Sequence, residues 1–170
     1  MNTPLVVILM GSKADLPHCQ KIADAARSFG LEAILRIGSA HKTAEHTLDI
    51  LQQCEADPRP KVYITVAGRS NALSGFTDGA VSAPVIACPP ASESFGGADV
   101  YSSLRMPGGI APAVVLEPAN AALLAAKILA LTSPQVLAAV RDFQRRQADK
   151  IESDDAELQS ASAPAVEAHS

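Results

Sequence analysis

The chain has 170 residues, of which 48 % are hydrophobic and 19 % are charged, and its formal net charge at pH 7 is −4. This length and composition suit one globular domain with a buried core and exclude a disordered chain. The acidic balance disfavours a general nucleic-acid surface, which needs a basic stripe, but it allows a small anionic ligand held by backbone N–H groups.

Short apolar runs alternate with helical patterns along the chain. The first run, residues 4–10, is apolar throughout and stops at Gly11, which is typical of a strand buried on both faces. Residues 15–30 follow with helical spacing, and Pro17 lies in the first turn. The alternation continues with predicted strands at 32–37, 61–67, 83–89 and 111–117, a helix that Thr43 can cap and that runs to about Glu55, a helix opened by GRSNALSG at 68–75, an apolar helix at 120–131 and a long amphipathic helix at 133–153.

This alternation through short loops predicts a parallel sheet covered on both faces, an α/β sandwich formed by a single domain over residues 1–159. Residues 160–170 have low complexity and are expected to form a disordered tail. Ligands of such sheets bind beyond the carboxyl ends of the strands. The loops at those positions contain mainly small and polar residues and form the candidate binding site: GSKAD (11–15), GSAHK (38–42), AGRSN (67–71) and PPASESFGG (89–97).

Several residues in these loops allow two interpretations each. Gly11 and Ser12 form either a phosphate site at a helix N-terminus or a tight turn with a capped helix. His41 is either a turn histidine bonded to the backbone or an acid/base catalyst, since histidine is the side chain that titrates nearest neutrality. Lys42 is either a solvated surface charge or a ligand for phosphate or carboxylate. Arg69 follows an almost wholly apolar strand, which makes an anionic partner plausible.

The sequence also disfavours several kinds of site. It has no GxGxxG fingerprint, Walker A lysine or GxSxG elbow, so dinucleotide, ATP and serine-hydrolase sites are poorly supported. His18 and His46 are expected on the surface and lack a metal-site context, so we expect no metal. The cysteines Cys19, Cys54 and Cys88 have no CxxC spacing and are expected as buried thiols in a reducing compartment. The apolar run near the N-terminus is too short for a signal or a membrane span, so we expect a cytoplasmic protein without a membrane partner.

Four segments together resemble the phosphoribosylaminoimidazole carboxylase (AIR carboxylase) family of purine biosynthesis. They are ILMGSKADL, SAHKTAEH, AGRSNALSGF with PVIACPP, and DVYSSLRMPGG with NAALLAAKILAL, spread between about Leu5 and Phe143. The resemblance implies a three-layer αβα sandwich with a central parallel, flavodoxin-like sheet and a C-terminal helix. It also implies a homo-oligomer, a tetramer or octamer, whose active sites are shared between subunits. We expect the helices at 120–131 and from Pro134 to lie at the subunit contacts.

The family contains two classes that differ in the carboxyl donor. The mutase class moves a carboxylate from nitrogen to carbon and typically carries SAHR and an AGGAAHLPG-like stretch. SAHK and AGRSNALSG in this chain are similar to the second class, found as a domain of the bifunctional animal enzyme, which carboxylates 5-aminoimidazole ribonucleotide directly with CO2. One departure is GSKAD in place of the usual GSxSD, which puts Ala14 where a serine hydroxyl could contact phosphate or ribose.

The resemblance implies a chemistry without ATP, biotin or metal, because C4 of the aminoimidazole is enamine-like and attacks CO2 directly. It makes His41 the base that removes the C4 proton, with Lys42 adding charge beside it. The resemblance further implies that Gly11 and Ser12 bind the 5′-phosphate and that Asp15 binds the ribose. Arg69, Ser70 and Asn71 would border the CO2 or the new carboxylate. Ala40, Ala67 and Gly68 would form a dry wall beside it, and Ser39 would also line the substrate site. Two rival functions stay open: a mutase on the same scaffold and a non-catalytic flavodoxin-like nucleotide-binding module.

Overall fold

The computed structural model describes residues 3–162, which form one five-stranded parallel sheet flanked by helices. The strands are β1 (Leu5–Met10), β2 (Glu32–Ile37), β3 (Lys61–Val66), β4 (Val85–Ala87) and β5 (Ala113–Val114). The helices are α1 (Leu16–Ser28), α2 (Ala44–Glu55), α3 (Ala72–Asp78), α4 (Tyr101–Leu104), α5 (Pro118–Leu129) and α6 (Pro134–Ser162). Two 3₁₀ segments, Lys13–Asp15 and Ser94–Val100, precede α1 and α4.

The strand order is β2-β1-β3-β4-β5, and the register brings three strands to the same level at their carboxyl ends. Met10 pairs with Ile37 on one side and with Val66 on the other. The chain therefore leaves β1, β2 and β3 along one edge of the sheet. Because the strand order reverses between β1 and β3, this edge has the crevice in which α/β sheets bind ligands.

The alternation of side chains along β1 separates two hydrophobic layers. Val6, Ile8 and Met10 pack with residues of α1, α5 and α6 on one face. Leu5, Val7 and Leu9 pack with residues of α2 and α3 on the other. Since successive residues of a strand point to opposite faces, one apolar run supplies both layers. The predicted three-layer sandwich is confirmed.

The predicted and observed elements differ mainly at the ends. Strand β4 is shorter than predicted because Pro84 and Pro89 flank it, and proline has no N–H to donate to a sheet. Helix α6 runs to Ser162, well beyond the predicted end, and its exposed part carries the i,i+4 ion pair between Lys150 and Asp154 at 2.7 Å. Residues 160–162 of the expected tail are thus helical, while 163–170 lie outside the described residues.

The segment from Asp99 to Ala111 is docked on α3. The Ala111 N–H donates to Asp78 Oδ2 at 2.8 Å. Gly75 lets Met106 approach closely, since a Cβ on that glycine would lie 3.0 Å from the Met106 sulfur. The segment 102–109, with Arg105 exposed on it, therefore belongs to the connection between β4 and β5, and this connection is held against α3.

Two predictions about the whole chain concern membranes and thiols. Within residues 3–162, no helix combines the length and the apolar character needed to cross a bilayer. Cys19, Cys54 and Cys88 are all buried and form no disulfide, as expected from their spacing.

Candidate active site

A cleft of about 540 Å³ lies over the carboxyl edge of the sheet. Four loops line it, named here by the strand that they follow: the β1 loop (11–15), the β2 loop (38–43), the β3 loop (67–71) and the β4 loop (88–94). The cleft brings together all of the predicted site residues except Asn71, namely Gly11, Ser12, Asp15, Ser39, Ala40, His41, Lys42, Ala67, Gly68, Arg69 and Ser70.

The β1 loop ends in a capped helical turn. Gly11 N–H donates to Val66 O at 2.9 Å, which ties the start of the loop to β3. Ser12 Oγ accepts from Ala14 N–H at 3.2 Å, and the 3₁₀ turn that follows leads directly into α1. The loop therefore sets the N-terminal end of a helix against the cleft, where the helix dipole favours an anion.

Asp15 stands half-buried where the β1 loop meets α1. Burial raises the pKa of its carboxyl group above the ordinary value, and the nearby His18 imidazole partly offsets this. A carboxylate that has lost part of its hydration is well suited to accept hydrogen bonds from ligand hydroxyl groups.

His18 is half-buried, so its expected surface position was wrong. Its Nε2 lies 3.4 Å from Cys88 Sγ, which joins α1 to the residue after β4. Burial is the main cause that lowers the pKa of His18, and burial raises the pKa of the Cys88 thiol to about 12. Both shifts favour the neutral forms, which disfavours a thiolate–imidazolium nucleophile at this pair.

Local hydrogen bonds hold the β2 loop. Thr43 N–H donates to Ser39 O at 2.9 Å, Ser39 N–H donates to Thr43 Oγ1 at 3.0 Å, and Lys42 N–H donates to Ser39 Oγ at 3.3 Å. Gly38 lets the loop lie against α2, because a Cβ there would stand only 2.7 Å from Thr47 Oγ1. Thr43 occupies the predicted cap position, but its hydroxyl bonds back to Ser39 instead of capping α2.

This ring of hydrogen bonds displays His41 and Lys42 at the rim of the cleft. Both side chains line the cavity and both are exposed in the isolated chain. An imidazole in that position is accessible for proton transfer, and the adjacent ammonium group adds positive charge for an anionic ligand.

The β3 loop has a strained backbone with distant supports. Arg69 adopts a left-handed conformation with φ of 60°, and its N–H donates to Asp99 Oδ2 at 3.1 Å. Asn71 is buried: its Oδ1 accepts from Ser74 N–H at 3.2 Å and its Nδ2 donates to Ser103 Oγ at 2.9 Å. The prediction that Asn71 borders the cleft is corrected, because capping α3 and bonding Ser103 use its side chain.

The β4 loop forms the remaining wall of the cleft. Its position after a strand predicts a binding loop, but the sequence marks no single residue in it as functional. The structure adds Pro90, Ala91, Ser92 and Ser94 from this wall, together with Leu73 of α3 and Ala14. Strand-end position is the signal that finds such residues, whereas their side chains carry no distinctive chemistry.

A second cavity of about 430 Å³ adjoins the cleft. The two cavities have part of the β3 and β4 loops in common, and the second extends to residues such as Val100 and Leu116; the shared residues are Ala67, Gly68, Arg69, Pro90, Ala91 and Ser92. Within residues 3–162, no three His, Cys, Asp or Glu side chains converge as a metal site. The cleft therefore offers a helix N-terminus, two cations, hydroxyl groups and an imidazole, a set suited to an anionic, hydroxyl-bearing ligand and a proton transfer.

Known proteins are similar to this chain in sequence and in fold. The family model described as AIR carboxylase matches residues 5–150. A phosphoribosylaminoimidazole carboxylase of Treponema denticola is 59 % identical over 155 residues, covering 91 % of this chain and 98 % of that protein. A human bifunctional phosphoribosylaminoimidazole carboxylase/phosphoribosylaminoimidazole succinocarboxamide synthetase is 45 % identical over 136 residues, covering 80 % of this chain and 32 % of that protein. The crystal structure of Treponema denticola PurE matches with a TM-score of 0.90 at 59 % identity, covering 91 % of this chain and 98 % of that chain.

Proposed function

This chain belongs to the AIR carboxylase family, and from that premise we propose that it joins CO2 directly to C4 of 5-aminoimidazole ribonucleotide. The chain is an enzyme of purine biosynthesis, and the proposal concerns its carboxyl donor and the roles of its residues. The observation that carries it is the meeting of His41, Arg69 and Ser70 in one cleft.

The β1 loop is the proposed anchor of the ribonucleotide. Ser12 and the N-terminal end of α1 bind the 5′-phosphate, since backbone N–H groups and the helix dipole both favour an anion there. Asp15 accepts hydrogen bonds from the ribose hydroxyls, and Lys42 adds positive charge across the cleft entrance. Ala14 contributes only a methyl group where the family has a serine hydroxyl.

The reaction needs one bond formation and one proton removal. The electron pair of the enamine-like C4 attacks the carbon of CO2, which forms the new C–C bond and leaves a carboxylate. C4 still carries its hydrogen at this stage, so the ring is not aromatic. The imidazole of His41 takes that proton, which restores the aromatic ring, and later releases it to solvent. None of these steps calls for ATP, biotin or a metal ion.

The β3 loop is the proposed site of the carboxyl donor. Arg69 and Ser70 can hold the new carboxylate by charge-assisted hydrogen bonds, which are stronger than neutral ones. The adjoining walls consist of small residues, Ala40, Ala67 and Gly68, which leave little for water to bond. Such a corner favours an apolar gas molecule over water until the carboxylate has formed.

A homo-oligomer with shared active sites, a tetramer or an octamer, is the proposed assembly. On α6, Ile151 and Leu158 are 67 % and 63 % exposed and lie seven residues apart, so they share one face of the helix. By contrast, Val136 and Val140 belong to the core of the chain itself, and the Phe143 ring packs edge-on against Phe29 at 5.4 Å.

The expectation that α5 and α6 lie at subunit contacts is narrowed to the parts of these helices that stay exposed. Alanines of α5 and the first turns of α6 lie in the core of this chain. Deleting residues 133–170 would thus unfold the core, whereas a deletion that starts at residue 147 removes, among the described residues, only the exposed helix 147–162. We expect the shorter deletion to dissociate the oligomer in light scattering while the circular dichroism of the remaining chain persists; an intact oligomer would refute a contact through α6.

The cytoplasm is the proposed compartment. Cys19, Cys54 and Cys88 are unpaired and buried, and thiols without a disulfide framework are typical of reducing surroundings.

The decisive experiment supplies the purified protein with 5-aminoimidazole ribonucleotide and dissolved CO2 in the absence of ATP. We expect 4-carboxy-5-aminoimidazole ribonucleotide to form at a rate that rises with CO2. The N-carboxylated nucleotide should disappear no faster than it does without protein. Rapid conversion of that nucleotide with indifference to CO2 would make the chain a mutase.

A further inference from the structure

The strained conformation of the β3 loop is held by a carboxylate thirty residues further along the chain. Arg69 is one of two non-glycine residues with positive φ in the part of the chain that the structure describes, the other being Phe95. Left-handed backbone is unfavourable for a residue with a Cβ and persists where surrounding contacts enforce it. Here the enforcing contact is the bond from Arg69 N–H to Asp99 Oδ2.

Ser102 fastens the same loop at two further points. Its Oγ accepts from Asn71 N–H at 3.0 Å. The same oxygen lies 2.7 Å from Asp99 O and 3.2 Å from Arg69 O, so its proton is available to either carbonyl. One hydroxyl thereby links the backbone of the β3 loop to the residue whose carboxylate holds Arg69.

We propose that Asp99 and Ser102 are positioning residues that set the β3 loop for the carboxyl donor, without touching the donor themselves. With its backbone clamped, the loop presents the Arg69 and Ser70 side chains in one fixed arrangement. This inference rests on the proposed use of CO2 at that loop. Preorganised donors stabilise developing charge better than mobile ones, so the clamp acts on the donor step and not on the ribonucleotide anchor in the β1 loop.

The chain offers a matched control at the other end of the docked segment. Asp78 Oδ2 accepts from Ala111 N–H at 2.8 Å, which is the same kind of bond as that between Asp99 and Arg69. Asp78→Ala and Asp99→Ala each remove one carboxylate from one backbone N–H. Only the second change touches the β3 loop.

The experiment measures steady-state kinetics of the full-length enzyme with both substrates varied. For Asp99→Ala we expect the KM for CO2 to rise about tenfold, the scale of one charge-assisted hydrogen bond, while the KM for the ribonucleotide stays within about twofold. Asp99→Asn keeps an acceptor oxygen and should restore most of the loss. Asp78→Ala should lower the melting temperature comparably and leave both KM values unchanged.

Amide hydrogen exchange of the same variants separates the clamp from the donor assignment. Exchange at Arg69 should accelerate about tenfold in Asp99→Ala and stay unchanged in Asp78→Ala. Parallel kinetic changes in the two alanine variants, or unchanged exchange at Arg69, would overturn the positioning role. If the wild-type enzyme shows no dependence on CO2, the proposed donor fails, and the exchange result alone then decides whether the clamp exists.

Discussion

The β2 loop and the β3 loop each bring a cation and a hydroxyl group into the same cleft, yet they are held in different ways. The β2 loop closes on itself through bonds between Ser39 and Thr43, four residues apart. The β3 loop depends on Asp99, Ser102 and Ser103, about thirty residues away. A loop that carries its own support can place a catalytic group independently of the rest of the molecule. A loop held by a distant segment can instead be tuned by changes far along the chain.

The largest expected effect tests whether the chemistry depends on the self-supported loop. His41→Asn removes the imidazole while keeping a polar side chain in an exposed position. We expect turnover to fall at least about a hundredfold, the usual scale for a lost general base, with the fold and ribonucleotide binding retained. The measurement is kcat from initial rates, with circular dichroism and ligand titration as controls. Near-normal turnover would remove His41 from the mechanism.

The next effect tests how strongly the β3 loop depends on its buried support. Asn71→Ala removes the cap of α3 and leaves the buried Ser103 hydroxyl without its donor. We expect the free energy of unfolding to fall by about 1–3 kcal/mol, because buried polar groups lose their partners. Denaturant titration measures this loss.

Ser39→Ala in the β2 loop is the matched control for Asn71→Ala. It removes a single exposed hydrogen bond, from Lys42 N–H to Ser39 Oγ, and should cost less than about 1 kcal/mol. If the two variants were equally stable, the difference in support between the loops would be illusory.

The contrast also explains which parts of the molecule could be predicted from sequence. The apolar run of β1 and the small residues after β1, β2 and β3 are local signals, and they located both the sheet and its binding edge. His41 was found for the same reason, since its loop lies entirely within a short stretch of sequence. Asn71 has no local signal that separates a helix cap from a ligand, and the segment from Asp99 to Ser103 only acquires a role through the tertiary contact with Arg69.

The His18–Cys88 contact was missed for a related reason. The two residues are seventy positions apart, and they meet only because the sheet order places β4 near the start of α1. Helical spacing alone could not show which neighbour flanks α1 at that level. The predicted length of α6 was also short, because exposed residues joined by ion pairs carry little apolar periodicity.

A smaller effect tests whether the β2 loop is supported by its own hydrogen bonds. Thr43→Val removes the hydroxyl that accepts from Ser39 N–H, at nearly constant shape. We expect kcat to fall about fivefold, the equivalent of one ordinary hydrogen bond, with exchange at Arg69 unchanged. Thr43→Ser keeps the hydroxyl and should behave as wild type. A change in the exchange of the β3 loop would show that the two loops are coupled after all.

The smallest expected effect tests whether the β1 loop is supported by local bonds, like the β2 loop, or by distant residues, like the β3 loop. Gly11 bonds the loop to β3, and directly after the loop His18 of α1 contacts Cys88, seventy residues further along the chain. Burial lowers the pKa of His18 in the folded chain below the ordinary 6.5, so the folded state resists the proton that the unfolded state accepts. Above pH 6.5 both states are neutral and the stability is fully present. As the pH falls below 6.5 the unfolded state takes up the proton first, and stability is lost until the folded pKa is reached. Asp15 changes the stability in the opposite direction as the pH falls, because its raised pKa lets the folded state take up a proton first. The contributions of the two groups must therefore be separated by mutation.

Between pH 7 and pH 5 the melting temperature of wild type should therefore fall by about 1–2 °C more than that of His18→Gln, which keeps a neutral partner for Cys88. Parallel melting curves would mean that this contact adds nothing to the β1 loop, which would then rank with the self-supported β2 loop. A difference of the expected sign would place it with the β3 loop, held in part by a residue that only the folded sheet brings near.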